Sequence, residues 1–217
     1  MMVGSRRTAW IYKPMNDELI YQFATTDDEV EAYEIMLLLT QYYLSVYDSE
    51  KDEFAASHNV NTQAIMDESL RAEYALYISN IFSGMRDRVK EEEGRLSGLG
   101  EGAALLALKK FVFENYGRIE ETELSNAKQM ARLQVAQEIQ SKNTAAKIYK
   151  RWVARPGCCE VCRALNGTVK PIDEPFLING QVVELEGGKS FTYGYIDRNV
   201  AIAHPNDRCT VEFFIEY

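Results

Sequence analysis

The chain has 217 residues, 46% hydrophobic and 26% charged, enough for one ordinary globular domain plus a small module. Its net charge is −9, with 17 Lys/Arg against 24 Asp/Glu in residues 1–150 and 7 against 9 in residues 151–217. That balance lacks the clustered basic surface that nucleic-acid backbones and anionic lipids demand, and so argues against a nucleic-acid-binding domain.

The first residues, MMVGSRRTAWIYKPMNDE, carry two arginines with no apolar run behind them, so no signal peptide is expected. Residues 1–16 are expected to form an extended arm, in which Trp10, Ile11 and Tyr12, ahead of Pro14, make a peptide-like docking segment. The alternative for this arm is a disordered terminus.

Residues 17–150 read as a helical domain. No proline falls between Pro14 and Pro156, and Glu, Ala, Leu, Lys and Gln are abundant. Four helices are expected. The first opens with Thr26 and Glu29 at capping-box spacing and runs to about Tyr47, with Val30, Tyr33, Met36, Leu37 and Leu44 as its apolar stripe. The second begins near Asn61 and fades into a glycine-rich loop near 94–102. A third, AALLALKKFVFENY, ends at Gly117, and a fourth runs from about Ile119 to Tyr149 with Leu124, Met130, Leu133, Ala136 and Ile139 on one face. These stripes are expected to pack on one another as a core, although the length of the second and fourth helices leaves room for docking on a partner. The longest apolar runs, IMLLLTQYYL and AALLALKKFVF, fall short of the roughly 20 residues that cross a bilayer.

Residues 151–217 change in texture. Asn166-Gly167, Asn179-Gly180 and Gly187-Gly188 punctuate short runs of strand formers, of which QVVEL, SFTYGYI and TVEFFIEY read as strands. The fold class is therefore α+β: long helices, then a small β-rich module. A core of that size usually needs a staple.

The cysteines supply a candidate. Three of the four lie in RPGCCEVC, and the fourth follows a histidine in AHPNDRC. Cys159 and Cys162 have the C-x-x-C spacing that presents two sulfurs to a tetrahedral ion, and His204 with Cys209 would complete a closed Cys₃His shell of the structural zinc type. Cys158 and Asp207 are substitute ligands. Buried free thiols and a redox pair are the other readings of these cysteines. The deaminase pattern H-x-E…P-C-x-x-C is matched only in its second half, because Asn59 and Val60 follow His58. No phosphate loop, nucleophile elbow or paired-carboxylate signature is present, so no catalytic residue is expected.

In order, ARLQVAQEIQ, YKRWVARPGCCEVCRALNGTV, DEPF and AHPNDRC resemble the C-terminal region of the Mu F-like head morphogenesis proteins of tailed bacteriophages, the minor capsid or minor head proteins. Trp152, Cys159, Cys162, Leu165, Gly167, His204, Pro205, Arg208 and Cys209 carry the likeness, which spans roughly Ala127 to Val211. Asp207 stands where the family pattern has a cysteine, and Arg132-Leu133-Gln134 replaces its RTE. The resemblance implies a few-copy, non-enzymatic virion component at the head vertex, assembled in the host cytoplasm. Its implied partners are the portal and the major capsid protein, with contact to packaged DNA and a homo-oligomeric arrangement around the portal. Its implied role is in head assembly, genome packaging or DNA delivery. The alternative is a zinc-dependent hydrolase or nuclease-like enzyme, which would need an open coordination position at the Cys/His site.

Overall fold

The computed structural model describes residues 16–61, 69–143, 145, 147–195, 197–204 and 207–216, with the side chains of 215 and 216 excepted. Trp10, Ile11 and Tyr12 therefore lie outside the described residues, as do Pro205 and Asn206.

Four helices come first: α1 (Asp17–Thr25), α2 (Glu29–Ser57), α3 (Ser69–Leu96) and α4 (Glu101–Lys142). They are followed by β1 (Lys147–Val153), the short α5 (Glu160–Leu165), β2 (Val169–Pro171), β3 (Val182–Glu184), β4 (Ser190–Thr192) and β5 (Thr210–Glu216). The strands form an antiparallel sheet in the order β2-β1-β5 and a separate β3-β4 hairpin. The α+β class is thus what the chain adopts.

Local chemistry explains the boundaries. Asn16 caps α1 by accepting from the Glu18 N–H, and Asp28 caps α2 by accepting from the Val30 and Glu31 N–H groups. The expected cap at Thr26 is corrected: its hydroxyl hydrogen-bonds the Glu31 side chain, and the helix opens three residues later. The expected break at Gly117 is also corrected, because α4 runs unbroken through it for 42 residues. A glycine within a helix costs about 1 kcal/mol relative to alanine. The packing of Val112, Tyr116 and Ile119 on the helical core outweighs so small a penalty. At the other end α4 stops at Lys142, and 147–149, expected as helix, begin β1.

The apolar stripe assigned to the first long helix is corrected in its direction. The buried face of α2 is Ala32, Ile35, Leu39, Tyr43, Val46 and Tyr47, whereas Val30, Tyr33 and Leu37 face out. Leu44 and Met36 are half-buried against the core. By contrast the stripe on α4 faces inward as expected, with Leu133 and Ala136 buried and Met130 and Ile139 packed beside them.

Two hydrophobic cores result. One gathers α1, α2, α3 and the first part of α4 around Phe23, Tyr43, Tyr47, Ile78 and Phe82. The other closes the β-rich part over Leu133 and Ala136 of α4, with Trp152, Phe176, Leu177, Tyr193 and the 200–203 segment. Turn glycines take the conformation their position demands: Gly167, Gly180, Gly187 and Gly188 all have φ near +80° or slightly below.

Lys150, on the inward face of β1, is fully buried, and its ammonium has no hydrogen-bond partner among the described residues. It sits 5.2 Å from the centre of the Phe176 ring. Burial pushes its pKa down to about 8 from 10.5, with Asp173 and Glu174 opposing. Between those two pH values the unfolded chain binds the extra proton, so stability rises with pH across that window. Lys150→Met should therefore stabilise the protein by about 3 kcal/mol at neutral pH. The gain over wild type should shrink towards pH 10, as read by denaturant unfolding of both proteins across pH.

Candidate metal centre

The site is built from two loops, one carrying Cys159 and Cys162 and the other His204 and Cys209. In the first, Arg155-Pro156-Gly157-Cys158 makes a turn in which the Cys158 N–H donates to the Arg155 carbonyl at 3.1 Å and Gly157 has φ +79°. Proline at the second position and positive-φ glycine at the third are what a type II turn requires. The chain then enters α5 with Cys159 as its N-cap, and the sulfur accepts from the Cys162 N–H at 3.4 Å. One short helical turn thereby sets Cys159 Sγ and Cys162 Sγ 3.5 Å apart.

The second loop, 203–209, is tied by Asp207. One carboxylate oxygen accepts from the Ala203 N–H at 2.8 Å and the other from the Cys209 N–H at 2.8 Å. Those bonds fold the loop so that His204 and Cys209 face the C-x-x-C turn. His204 Nε2 lies 2.9 Å from Cys159 Sγ and 3.6 Å from Cys162 Sγ. The Cys162 thiol also donates to Asp207 at 3.1 Å.

The donors form two overlapping triads that share Cys162. One is Cys159, Cys162 and His204; the other is Cys162, Asp207 and Cys209, and within each triad the ligand atoms lie within 4.8 Å of one another. A tetrahedral zinc ion with bonds of about 2.3 Å to sulfur and 2.0 Å to nitrogen needs donor separations of about 3.5–3.8 Å. Cys159–Cys162 and Cys162–His204, at 3.5 and 3.6 Å, match that, Cys159–His204 at 2.9 Å is shorter, and each triad could hold a metal ion. Cys162, Asp207 and Cys209 are buried, while Cys159 is exposed.

Electrostatics separate the thiols. The Cys162 thiol is pushed well up, first by its hydrogen bond with Cys209, then by burial and by the Asp207 carboxylate. That same bond holds Cys209 below the usual thiol value. At Cys159 burial acts upward, but hydrogen bonds from the Cys162 N–H, the Cys162 thiol and His204 together outweigh it and hold the thiol down. Deprotonating all three thiols beside the Asp207 carboxylate would set like charges against one another, and a bound cation would relieve that repulsion.

The four expected ligands are divided between the two triads, Cys159, Cys162 and His204 in one and Cys162 and Cys209 in the other. Of the two substitutes, Asp207 is in the second, and Cys158 belongs to neither triad. His58 takes no part: it caps α2, with Nδ1 2.9 Å from the Phe54 carbonyl. The exposed side of the cluster opens on a cleft of about 700 Å³ lined by Phe113, Arg118, Arg155 and Arg208.

A second set of residues, which motif reading missed, holds the module in place. Gln129 of α4 donates to the Cys209 carbonyl at 3.0 Å and accepts from the Ala201 N–H at 3.1 Å. Nearby, buried Glu123 accepts from the Tyr77 hydroxyl and from Asn126, and Arg198 donates to the Tyr77 hydroxyl at 3.1 Å. Burial raises the Glu123 pKa against the pull of these partners. The signal available in the sequence was the polar spacing Glu123, Asn126, Gln129 inside an otherwise apolar helical face.

Compared with known protein families, curated proteins and solved structures, the chain matches none.

Zinc added to metal-free protein should raise the unfolding temperature by about 10 °C at saturation. Cys162→Ser or His204→Ala should abolish that rise, and Cys158→Ser should leave it intact, in thermal melts with and without chelator. Asp207→Ala should cost about 2–4 kcal/mol even in chelator, because two buried backbone N–H groups lose their acceptor. His204→Ala under the same condition should cost far less.

Proposed function

We propose that this chain is a structural minor capsid protein of a tailed bacteriophage, placed at the portal vertex and acting in head assembly, genome packaging or DNA delivery. The observation that carries the reading is where the family-like residues fall. Trp152, Cys162, Leu165 and Cys209 are all buried in one core, and Cys159 and His204 lie at its edge. Motif elements separated by dozens of residues thus serve one small structural unit.

In this reading Cys159, Cys162, His204 and Cys209 hold a single zinc ion as a staple, and Asp207 stays behind them as the loop's organiser. Zinc would supply folding energy to a module whose own core is small. Asp207 replaces the family's cysteine without loss of the site, since both its oxygens are already committed to backbone N–H groups. The portal and major capsid protein are the partners, and the acidic surface keeps the chain from binding DNA indiscriminately.

The enzyme alternative draws on one feature, the cleft beside exposed Cys159 with its three arginines. It needs three protein ligands and a water on the metal; four protein ligands exclude it. X-ray absorption of the zinc-loaded protein should give three sulfurs and one nitrogen.

The decisive experiment is mass spectrometry of purified DNA-filled particles, quantifying this chain against the portal. A copy number at or below that of the portal is expected. Absence from both filled heads and empty proheads would overturn the proposal.

A further inference from the structure

Two apolar surfaces on the helical part have no cover among the described residues. On α2, Val30, Tyr33, Leu37 and Leu38 are 68, 56, 41 and 50% exposed. On the α3–α4 corner and the start of α4, Leu99, Leu105 and Leu106 are 51, 47 and 73% exposed. Isolated exposed leucines are ordinary, but the α2 set recurs at helical spacing, the pattern of a helix–helix seam, and Leu105 and Leu106 form an adjacent pair near the start of α4.

The two surfaces differ in charge. Along α2, Val30, Glu34 and Leu38 succeed one another at four-residue spacing beside Tyr33 and Leu37; of the acidic residues before them, Asp27 and Glu29 already pair with Lys90 and Arg86 and Asp28 caps the helix, so Glu34 is the acidic group within the row. Along α4, Leu105 is followed four residues on by Lys109, and Leu106 by Lys110. Glu101 and Glu114 bound that patch at its two ends. Glu34 and Lys110 are both exposed, and among the described residues the only ion pair of Lys110 is a 3.9 Å contact with Glu114 between two widely exposed side chains. Lys109 rests over the Tyr21 ring at 5.3 Å, which fixes it beside the leucines.

The opposite face of α2 is already spent on the core through Ile35, Leu39 and Tyr43, so the outer row cannot turn inward. One chain thus carries an apolar row with an acidic insert, Glu34, and a leucine pair followed by two lysines. We infer that these are the two halves of one interface, with the α2 row of one copy docking on the start of α4 of a second copy of this chain. Because the two surfaces are different, the contact is heterologous and propagates from copy to copy, closing into a ring where the rotation allows. Burial of the leucines would supply the affinity and the Glu34–lysine pairing the register. This inference goes beyond the proposed virion role and stands on the surface alone.

The test is sedimentation velocity of the purified full chain at roughly micromolar to 100 µM concentration. Association beyond monomer is expected. Leu37→Ser and Leu106→Ser should each weaken it by about tenfold, with unchanged melting temperature because both side chains are exposed. Glu34→Lys and Lys110→Glu should each weaken it as well, and the doubly reversed chain should recover most of the loss. A chain that stays monomeric throughout, or a double reversal no better than either single change, would overturn the inference. Association that appears only after residues 1–15 are deleted would overturn it too, by assigning the arm as the occupant. None of these outcomes bears on whether the chain is found in phage particles.

Discussion

The arrangement hangs on one helix that serves two cores. The first part of α4 completes the helical core through Leu108, Val112, Tyr116 and Ile119, and its later turns roof the β-rich core through Leu133 and Ala136. A β-rich unit of this size has few strands of its own to bury its apolar face, and a helix spanning both units gives it a second layer. Between the two apolar parts α4 turns polar, and there Gln129 grips the main chain at Ala201 and at Cys209. That carboxamide is buried and both its ends are engaged, so register between helix and loop is set by hydrogen bonds that burial makes costly to break.

The loop that carries His204 and Cys209 is consequently prepared from two directions. Asp207 folds it from within, and Gln129 anchors its last cysteine from without. A donor set held this way loses less conformational freedom on taking up an ion than one assembled from free loops, so more of the binding energy goes into stability. The Glu123–Tyr77–Arg198 chain adds a second tie, linking α3, α4 and the loop that follows β4. Each oxygen of its carboxyl group has a donor and a guanidinium lies near, which offsets part of the cost of its burial.

Much of the candidate site was legible before any coordinates. C-x-x-C spacing encodes a local geometry, so Cys159 and Cys162 could be paired from sequence, and His204 with Cys209 were conspicuous by scarcity. Turn glycines were equally legible, because positive φ has few other tenants. What could not be read was anything that depends on which elements face each other. Gly117 shows one form of this: its propensity marks a helix end, and tertiary packing overrules a penalty of about 1 kcal/mol. Asp207 shows another, since its place near the cysteines marks it as a spare ligand, but the two backbone donors that make it the tie of its loop depend on how that loop folds.

The outer stripe of α2 is the most instructive case. Periodicity reports that Val30, Tyr33 and Leu37 share a face, but it carries no information about what that face meets. The same helix has a second apolar face, larger and richer in tyrosine, and the core took that one. A helix apolar on two sides belongs either in the middle of a large fold or between two folds. The remaining helices are already committed to the other side, so the first option is closed within the described residues. Solvent would then be left against Val30, Tyr33, Leu37 and Leu38, an arrangement a lone acidic monomer gains nothing from. The stripe makes physical sense as the part of this chain addressed to another molecule, and the leucine–lysine patch on α4 is a complementary surface that the chain itself provides.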